Sequence, residues 1–234
     1  MKKLEQYFPE HDTYVEPFSG GASFFFGKDQ AETEVLGDTS PWLMKFYNQV
    51  RKGGLRNCKI KYSRTAHARA LKGKTACDKL TLSALGFGGL RGASHIQVRK
   101  NLRPGTPMYQ QKLKKLPIYE GRLRHAHLTT GSFERTMKQF DGPGTFHLLD
   151  PPWPENHSKE YYGNDDSEVT PADVAKVVGK MKGTVWVLYN VHPAVLEAFR
   201  GRKFKVYKIR TVKNHPGKGA QPGVKLLITN RRLR

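Results

Sequence analysis

Apolar and polar positions in the first fifty residues follow short strand and helix patterns that alternate along the chain. Residues 12–16 predict a strand, which a glycine turn separates from the start of a helix at residues 22–26. Residues 33–38 predict a second strand that ends in an acid, and residues 39–52 predict an amphipathic helix with Pro41 in its first turn. This order of elements is typical of the opening of a doubly wound α/β fold.

The same alternation returns in the second half of the chain, after residue 124. The last two strands, at residues 203–212 and 223–230, predict an antiparallel hairpin around a loop rich in glycine and proline. The earlier elements of this half are a strand and short helix within 125–140, a buried strand at 145–149, a helix from Thr170 to Met181, a strand at 184–190 and a helix at 191–199.

Between residues 53 and 124 the pattern loses its periodicity, and lysine, arginine and glycine become frequent. We interpret this stretch as an inserted basic module of helices and loops. The sequence therefore predicts an α/β protein with a doubly wound, mostly parallel sheet. Residues 1–52 and 125–234 form that domain, and residues 53–124 form the insert.

The strongly positive charge of the chain indicates which kind of binding partner to expect. Its 234 residues include 41 lysines and arginines against 20 acids, a formal charge of +21. Such an excess favours a polyanionic partner, DNA or RNA, over the alternative of a merely solubilising basic surface. No apolar span or basic amphipathic helix stands out, so we expect no membrane contact.

The sequence shows no clear signal peptide and no clear metal-binding motif. The first residues carry charge but no apolar core, so we expect no signal peptide and a cytoplasmic location. Cys58 and Cys77 have no histidine partners at ligand spacing, and the nine histidines are scattered, so we expect no metal site.

The first candidate site is the glycine turn after the first strand, which reads Glu16-Pro17-Phe18-Ser19-Gly20-Gly21. Glycines let a cofactor approach the backbone closely, and Asp38, at the end of the next strand, can accept hydrogen bonds from ribose hydroxyls. The full dinucleotide fingerprint is absent, which favours a nucleoside cofactor without a pyrophosphate over NAD. The alternative is a βα turn with a structural role only.

The second candidate site is the sequence HLLDPPW, in which a buried strand ends at Asp150. An exocyclic amine is a poor nucleophile because its lone pair is delocalised into the ring. Asp150 and the carbonyl of Pro151 can both accept from that amine and carry its developing charge, while Pro152 keeps the chain extended and Trp153 can stack on the base. The alternative is an ordinary turn at a strand end.

The order of these motifs and the residues within them resemble those of the DNA adenine methylase (Dam-like) class of N6-adenine methyltransferases. The segments YVEPFSGGASFFF, LGDTSPWLMKFYNQVR, GFGGLRGASHIQV, HLLDPPW and VKLLITN look like successive motifs of that family. The resemblance implies a Rossmann-like methyltransferase fold and S-adenosylmethionine as cofactor. It also implies a catalytic set and a cofactor-binding set, namely Asp150, Pro151, Pro152 and Trp153 for the first, and Glu16, Pro17, Phe18, Gly20, Gly21 and Asp38 for the second.

Two departures from the family pattern concern the cofactor site. The family usually begins with a Gly-Gly-Lys loop before the first helix, and this sequence begins at Met1-Lys2-Lys3-Leu4. We expect a protein partner, or the glycine turn itself, to compensate. Where the family commonly has an acid near the cofactor adenine, the chain has Ser132, which we expect to take that role. A weak or catalytically silent relative is the alternative.

If the substrate is a base in double-stranded DNA, that base must flip out of the duplex to reach such a pocket. Phosphate contacts from the insert would offset the free energy of flipping. We predict Arg91 and Arg99 as recognition residues, with Lys100 and Arg103 beside them, and Tyr161 with Tyr162 as a cover over the flipped base. RNA adenine or cytosine N4 remains an alternative target, and a silent nucleic-acid-binding subunit an alternative role.

Overall fold

A computed structural model describes residues 2–59, 63–85, 114–154, 169–201, 204–215 and 219–233. The chain divides into two compact units, which are described separately. The sheet unit comprises Met1–Thr39, Thr129–His157 and Asp166–Arg234, and the helical unit comprises Ser40–Leu128 and Ser158–Asp165.

The described residues form one sheet of seven strands, namely β1 (Thr13–Glu16), β2 (Thr33–Asp38), β3 (His127–Thr130), β4 (Thr145–Leu149), β5 (Thr184–Asn190), β6 (Lys205–His215) and β7 (Gly219–Thr229). Their order across the sheet is β3-β2-β1-β4-β5-β7-β6. The strands β2, β1, β4 and β5 are parallel neighbours, whereas β7 is antiparallel to both β5 and β6.

The chain changes direction across the sheet between β1 and β4. From β1 it proceeds to β2 on one side, and later from β4 to β5 on the other. The register pairs Thr13 with Thr145 and Val15 with His147, so both strands end at the same edge. In open α/β sheets such a switch point opens a crevice at the carboxyl ends of the strands, where ligands bind.

Helices of the sheet unit begin at local signals in the sequence. The clearest is a capping box in which the Thr170 side chain accepts from the Asp173 amide and the Asp173 side chain accepts from the Thr170 amide. These helices are α1 (Lys2–Glu5), α2 (Ser23–Gly27), α7 (Phe133–Gln139), α8 (Pro171–Val178) and α9 (Pro193–Ala198).

The core of the sheet unit has two parts. One is an aromatic group in which the rings of Phe8, Phe146 and Trp186 lie 5.0 to 5.4 Å apart in edge-on contacts. The other is an aliphatic and aromatic cluster beneath α7, α8 and α9, with β4, β5 and β7 supplying its strand residues. Parallel strands covered on both faces explain why β4 and β5 read as continuous apolar runs.

The helical unit contains α3 (Pro41–Arg51), α4 (Arg64–Lys72), α5 (Ala76–Leu85) and α6 (Leu116–Leu123). Arg56 donates to the buried carboxylate of Glu120, which ties the segment after α3 to α6. A disulfide joins Cys58 to Cys77 and so links that segment to α5. The sequence carried no signal for this pairing.

The predicted fold class is confirmed: the protein has a doubly wound, mostly parallel α/β sheet. Two element predictions were wrong in extent. The helix from Thr170 ends at Val178 rather than Met181. The loop expected at residues 213–223 is largely strand, because β6 and β7 keep their ladder to the pair His215–Gly219 despite the glycines and Pro222. The boundaries of the insert stay a prediction.

Candidate active site at the carboxyl edge of the sheet

The two sequence-predicted sites meet at the switch point of the sheet. Glu16 is the last residue of β1, and Asp150 follows the last residue of the neighbouring strand β4. Their carboxyl groups are close enough for the charge of Asp150 to contribute to the raised pKa of Glu16. The structure therefore brings the glycine turn and the DPPW segment to one edge of the sheet.

The glycine turn after β1 adopts a strained, left-handed path. Gly20 has φ of 44° and Ala22 has φ of 47°, which is unusual for a residue that carries a Cβ. The turn is held by hydrogen bonds to β2: the Ser19 amide donates to the Gly37 carbonyl at 2.9 Å, and the Gly20 amide donates to Asp38 Oδ2 at 3.1 Å. Asp38 thus faces the turn, and its role as an acceptor for ribose hydroxyls stays a prediction.

The residues of this turn fit a nucleoside cofactor. A Cβ built on Gly20 would meet no atom within 4 Å, so space lies beside the backbone there. The Ser19 hydroxyl is buried and makes no hydrogen bond within the described residues. A carboxylate can accept several hydrogen bonds, so the bond from the Gly20 amide does not by itself prevent Asp38 from binding ribose hydroxyls. Gly20, Ser19 and Asp38 are the residues that would hold such a group.

Glu16 supports the turn from beneath. Its Oε2 accepts from the Tyr14 hydroxyl at 2.8 Å and from the Phe25 amide at 3.1 Å, and the side chain is buried. Burial raises the pKa of Glu16 to about 8, because these neutral donors do not repay the desolvation of a carboxylate. Its role as a cofactor contact stays a prediction.

Three further cofactor predictions fall in this region. Pro17 is buried behind the turn, and Phe18 stacks on Phe133 with ring centroids 5.0 Å apart. Ser132 caps α7 by accepting from the Arg135 amide at 3.3 Å, and it is exposed. Together with Gly21, which is exposed in the turn, these residues stay predicted cofactor contacts.

The DPPW segment places the carboxylate of Asp150 next to the indole of Trp153. Trp153 Nε1 donates to Asp150 Oδ1 at 3.3 Å, a long and therefore weak hydrogen bond. Pro151 is buried, while Pro152 and Trp153 are half-buried and Trp153 packs on the core cluster. Asp150 itself is open to solvent, so a substrate amine can approach it.

The surroundings of Asp150 shift its pKa in opposite directions. Desolvation by the protein atoms around the carboxyl raises the pKa of Asp150, while the Lys225 ammonium and the Trp153 hydrogen bond lower it. The open surface of Asp150 and this desolvation coexist because a solvent-facing side chain can still lie against a dense sheet edge. A carboxylate of this kind can accept from an amine and take up positive charge that develops on it.

Sequence reasoning missed Lys225 and Tyr189. Lys225, in β7, lies with its Nζ 4.4 Å from the centroid of the Trp153 ring and pairs in register with Asn190 at the end of β5. Tyr189, in β5, has a buried hydroxyl without a hydrogen-bond partner in the described part of the chain, and Asp150 contributes to its raised pKa. The available signal was a charged or polar residue inside an otherwise apolar strand.

Several sequence predictions cannot be placed, because their residues lie outside the described part of the chain. They are Arg91, Arg99, Lys100, Arg103, Tyr161 and Tyr162. Within the described residues, no group of three or more histidine, cysteine, aspartate or glutamate side chains is arranged to hold a metal ion. No described helix has the length and apolar character needed to cross a bilayer.

One family model matches the first part of the chain. Residues 1–73, which include the glycine turn and Asp38, match the family model of D12 class N6 adenine-specific DNA methyltransferases. That match covers less than half of the chain. Among curated protein sequences none matches.

Three solved structures that resemble the chain have low sequence identity to it. A protein of Pyrococcus horikoshii described as a "putative RNA methyltransferase" is 8% identical with a TM-score of 0.41, over 94% of this chain and 72% of that one. A precorrin-6y C5,15-methyltransferase of Geobacter metallireducens is 8% identical with a TM-score of 0.42, over 97% and 85%. An rRNA methylase of Streptococcus thermophilus is 9% identical with a TM-score of 0.41, over 100% and 93%.

Proposed function

We propose that this protein transfers a methyl group from S-adenosylmethionine to the exocyclic N6 of adenine in DNA. The observation that carries the proposal is the position of Asp150 and Pro151. They follow β4 directly, at the switch point, beside the glycine turn that follows β1. A carboxylate and a carbonyl at this edge are the two acceptors that an amine needs in order to become a nucleophile.

The residues of the site act on the substrate amine as follows. Asp150 and the Pro151 carbonyl each accept one N–H of the amine, which draws its nitrogen out of conjugation with the ring and frees the lone pair. The cofactor, when bound, supplies an electrophilic methyl group on a sulfonium. On transfer the new N–C bond would replace the S–C bond, and Asp150 would stabilise the positive charge that develops on the nitrogen. The amine proton then leaves to Asp150 or to water.

The choice of DNA and of adenine rests on different observations. The formal charge of +21 supports a polyanionic partner, and the family match over residues 1–73 favours DNA. Asp rather than Ser before the two prolines favours adenine over cytosine. A base within a duplex must flip out to reach Asp150, because the site lies at the edge of a sheet that a stacked base cannot approach.

Methyl transfer from labelled cofactor to duplex DNA of varied sequence tests the proposal. We expect label in DNA, and mass spectrometry of the digested nucleosides should identify N6-methyladenine. Asp150→Asn should lose the activity because an amide cannot take up the developing charge. Label in N4-methylcytosine would show that the substrate is cytosine rather than adenine, and label in RNA alone would show that it is RNA rather than DNA. No label in any nucleic acid would defeat the proposal.

Calorimetry separates a silent relative from an enzyme with an untested substrate. Asp38→Ala should weaken cofactor binding by tenfold or more, since a hydrogen bond to a charged group contributes about 1.5–3 kcal/mol. Asp12→Ala is the matched control, because Asp12 is an exposed acid that precedes β1 at the opposite edge of the sheet. Wild-type protein without binding heat at millimolar cofactor would favour a silent nucleic-acid-binding subunit.

A further inference from the structure

The β6–β7 hairpin extends beyond the rest of the sheet at the edge that carries Asp150. β6 pairs with β7 over the whole range from Lys205 with Thr229 to His215 with Gly219. β5 pairs with β7 only as far as Asn190 with Lys225, where β5 ends. The outer residues of the hairpin, 210–215 and 219–224, therefore continue past β5 by about 20 Å, at about 3.4 Å per residue.

The hairpin and its flanks carry charge of a single sign. From residue 201 to the end of the sequence there is no aspartate or glutamate, whereas lysine and arginine recur throughout. Lys208 and Arg210 are both exposed, and their spacing of two residues along β6 puts them on the same face of the ribbon. With no acid in this segment, these charges are not neutralised by neighbours along the ribbon.

Apolar surface accompanies these charges. Arg210 pairs with Val224 across the ladder. Val224 is 42% exposed and Val206 is 44% exposed, so apolar side chains alternate with basic ones on an open edge of the sheet. Basic groups suit phosphates, and small apolar groups suit the edges of bases in a groove.

We infer that the exposed face of this hairpin around Lys208 and Arg210 is a DNA-binding element that holds the duplex next to Asp150, an inference that rests on the proposed function. A two-stranded ribbon fits the major groove of B-form DNA, whereas the major groove of A-form RNA is too deep and narrow for it. Because the hairpin belongs to the sheet unit, a duplex bound there is held at the edge where the amine must react. This contact is separate from any made by the insert.

Equilibrium binding of a labelled DNA duplex over a range of salt concentrations tests this element. Lys208→Gln with Arg210→Gln should weaken binding roughly tenfold and reduce the slope of log K against log salt by about 1.8, since each lost phosphate contact removes about 0.9. Lys180→Gln with Lys182→Gln is the matched control. It removes the same charge from exposed positions between α8 and β5, at the opposite edge of the sheet.

The inference is overturned if both double variants bind DNA with the same affinity and salt slope, or if wild type binds no duplex DNA. A larger loss for A-form RNA than for DNA of the same sequence would also overturn it. These outcomes are independent of methyl transfer. Wild type that labels DNA while both variants bind alike refutes the hairpin alone, and hairpin-dependent binding without label refutes the proposed function alone.

Discussion

Strand β4 lies between two aspartates whose surroundings differ in kind. Asp141 precedes the strand and accepts from the Lys182 and Gly183 amides at 2.9 to 3.1 Å, and from His147 Nε2 at 3.1 Å. Burial alone would raise its pKa, but these donors hold the pKa of Asp141 below its ordinary value. Asp150 follows the strand, has one long hydrogen bond from Trp153, and its pKa is raised by desolvation.

The difference indicates that Asp141 is a structural acid, whereas Asp150 is a candidate for contact with a substrate. Asp141 is satisfied by groups of its own unit, so its charge stabilises the fold. Asp150 is desolvated without matching donors, which leaves it able to accept from a substrate. Perturbed carboxyl groups of the second kind are frequent at functional sites. Substitutions at these two acids and at neighbouring residues should therefore affect either the rate or the stability.

Asp150→Ala should lower the rate of methyl transfer by about a thousandfold, which is within the range for loss of a positioned catalytic group. The free energy of unfolding should change by less than about 0.5 kcal/mol, because Asp150 is exposed and weakly bonded. Single-turnover transfer and urea unfolding measure the two quantities. A rate within tenfold of wild type would contradict the assignment of Asp150.

Asp141→Ala should lower the stability of the fold and leave the rate of methyl transfer unchanged. It removes the acceptor from two amides and from the buried His147, so we expect the free energy of unfolding to fall by about 3 kcal/mol at unchanged turnover. Because the folded pKa of Asp141 is lowered, its contribution is present above pH 3.8, the ordinary value, and is lost as the pH falls through the folded value. Urea unfolding between pH 3 and pH 7 measures it, and equal stability of the variant would refute this role.

Glu16→Gln should change how stability depends on pH. The folded pKa of Glu16 is about 8 against an ordinary value of 4.5, so the folded state holds a proton that the unfolded chain has released. Wild type should therefore lose about 1.4 kcal/mol per pH unit as the pH rises between these values, and the glutamine variant should lack that loss. Thermal unfolding of both proteins from pH 5 to pH 8 measures the difference. Parallel curves would show that Glu16 is not protonated in the fold.

Lys225→Met should have the smallest effect. The Lys225 ammonium lowers the pKa of Asp150, so its removal should raise that pKa further and move the acidic limb of the rate profile to higher pH. Lys225→Arg keeps the charge and should restore the profile. The fluorescence of Trp153, taken as the difference from Trp153→Phe, should follow the same titration without any substrate, and an unmoved midpoint in the methionine variant would contradict the coupling.

Local patterns predicted the strands and turns that carry the candidate site, whereas the roles of the site residues stay predictions. The alternation of strand and helix signals was sufficient to predict the sheet. The two motifs were sufficient to place Asp38 and Asp150 at the ends of strands. Both follow from chemistry within a few residues: glycines permit the left-handed turn at Gly20, and prolines end β4. The extent of β6 and β7 was not predictable in this way, because cross-strand pairing outweighs the turn preference of single residues.

Four features follow from local sequence, since each depends on neighbours in the chain: the fold class, the order of the strands along the chain, the glycine turn and the acid after β4. Three others depend on tertiary contacts: Lys225 lies over Trp153, the Tyr189 hydroxyl is buried near Asp150, and the pKa values of Asp141 and Asp150 are shifted in opposite directions. Those properties depend on strand register and on burial. Both arise from contacts between residues far apart in sequence, and a local pattern does not encode them.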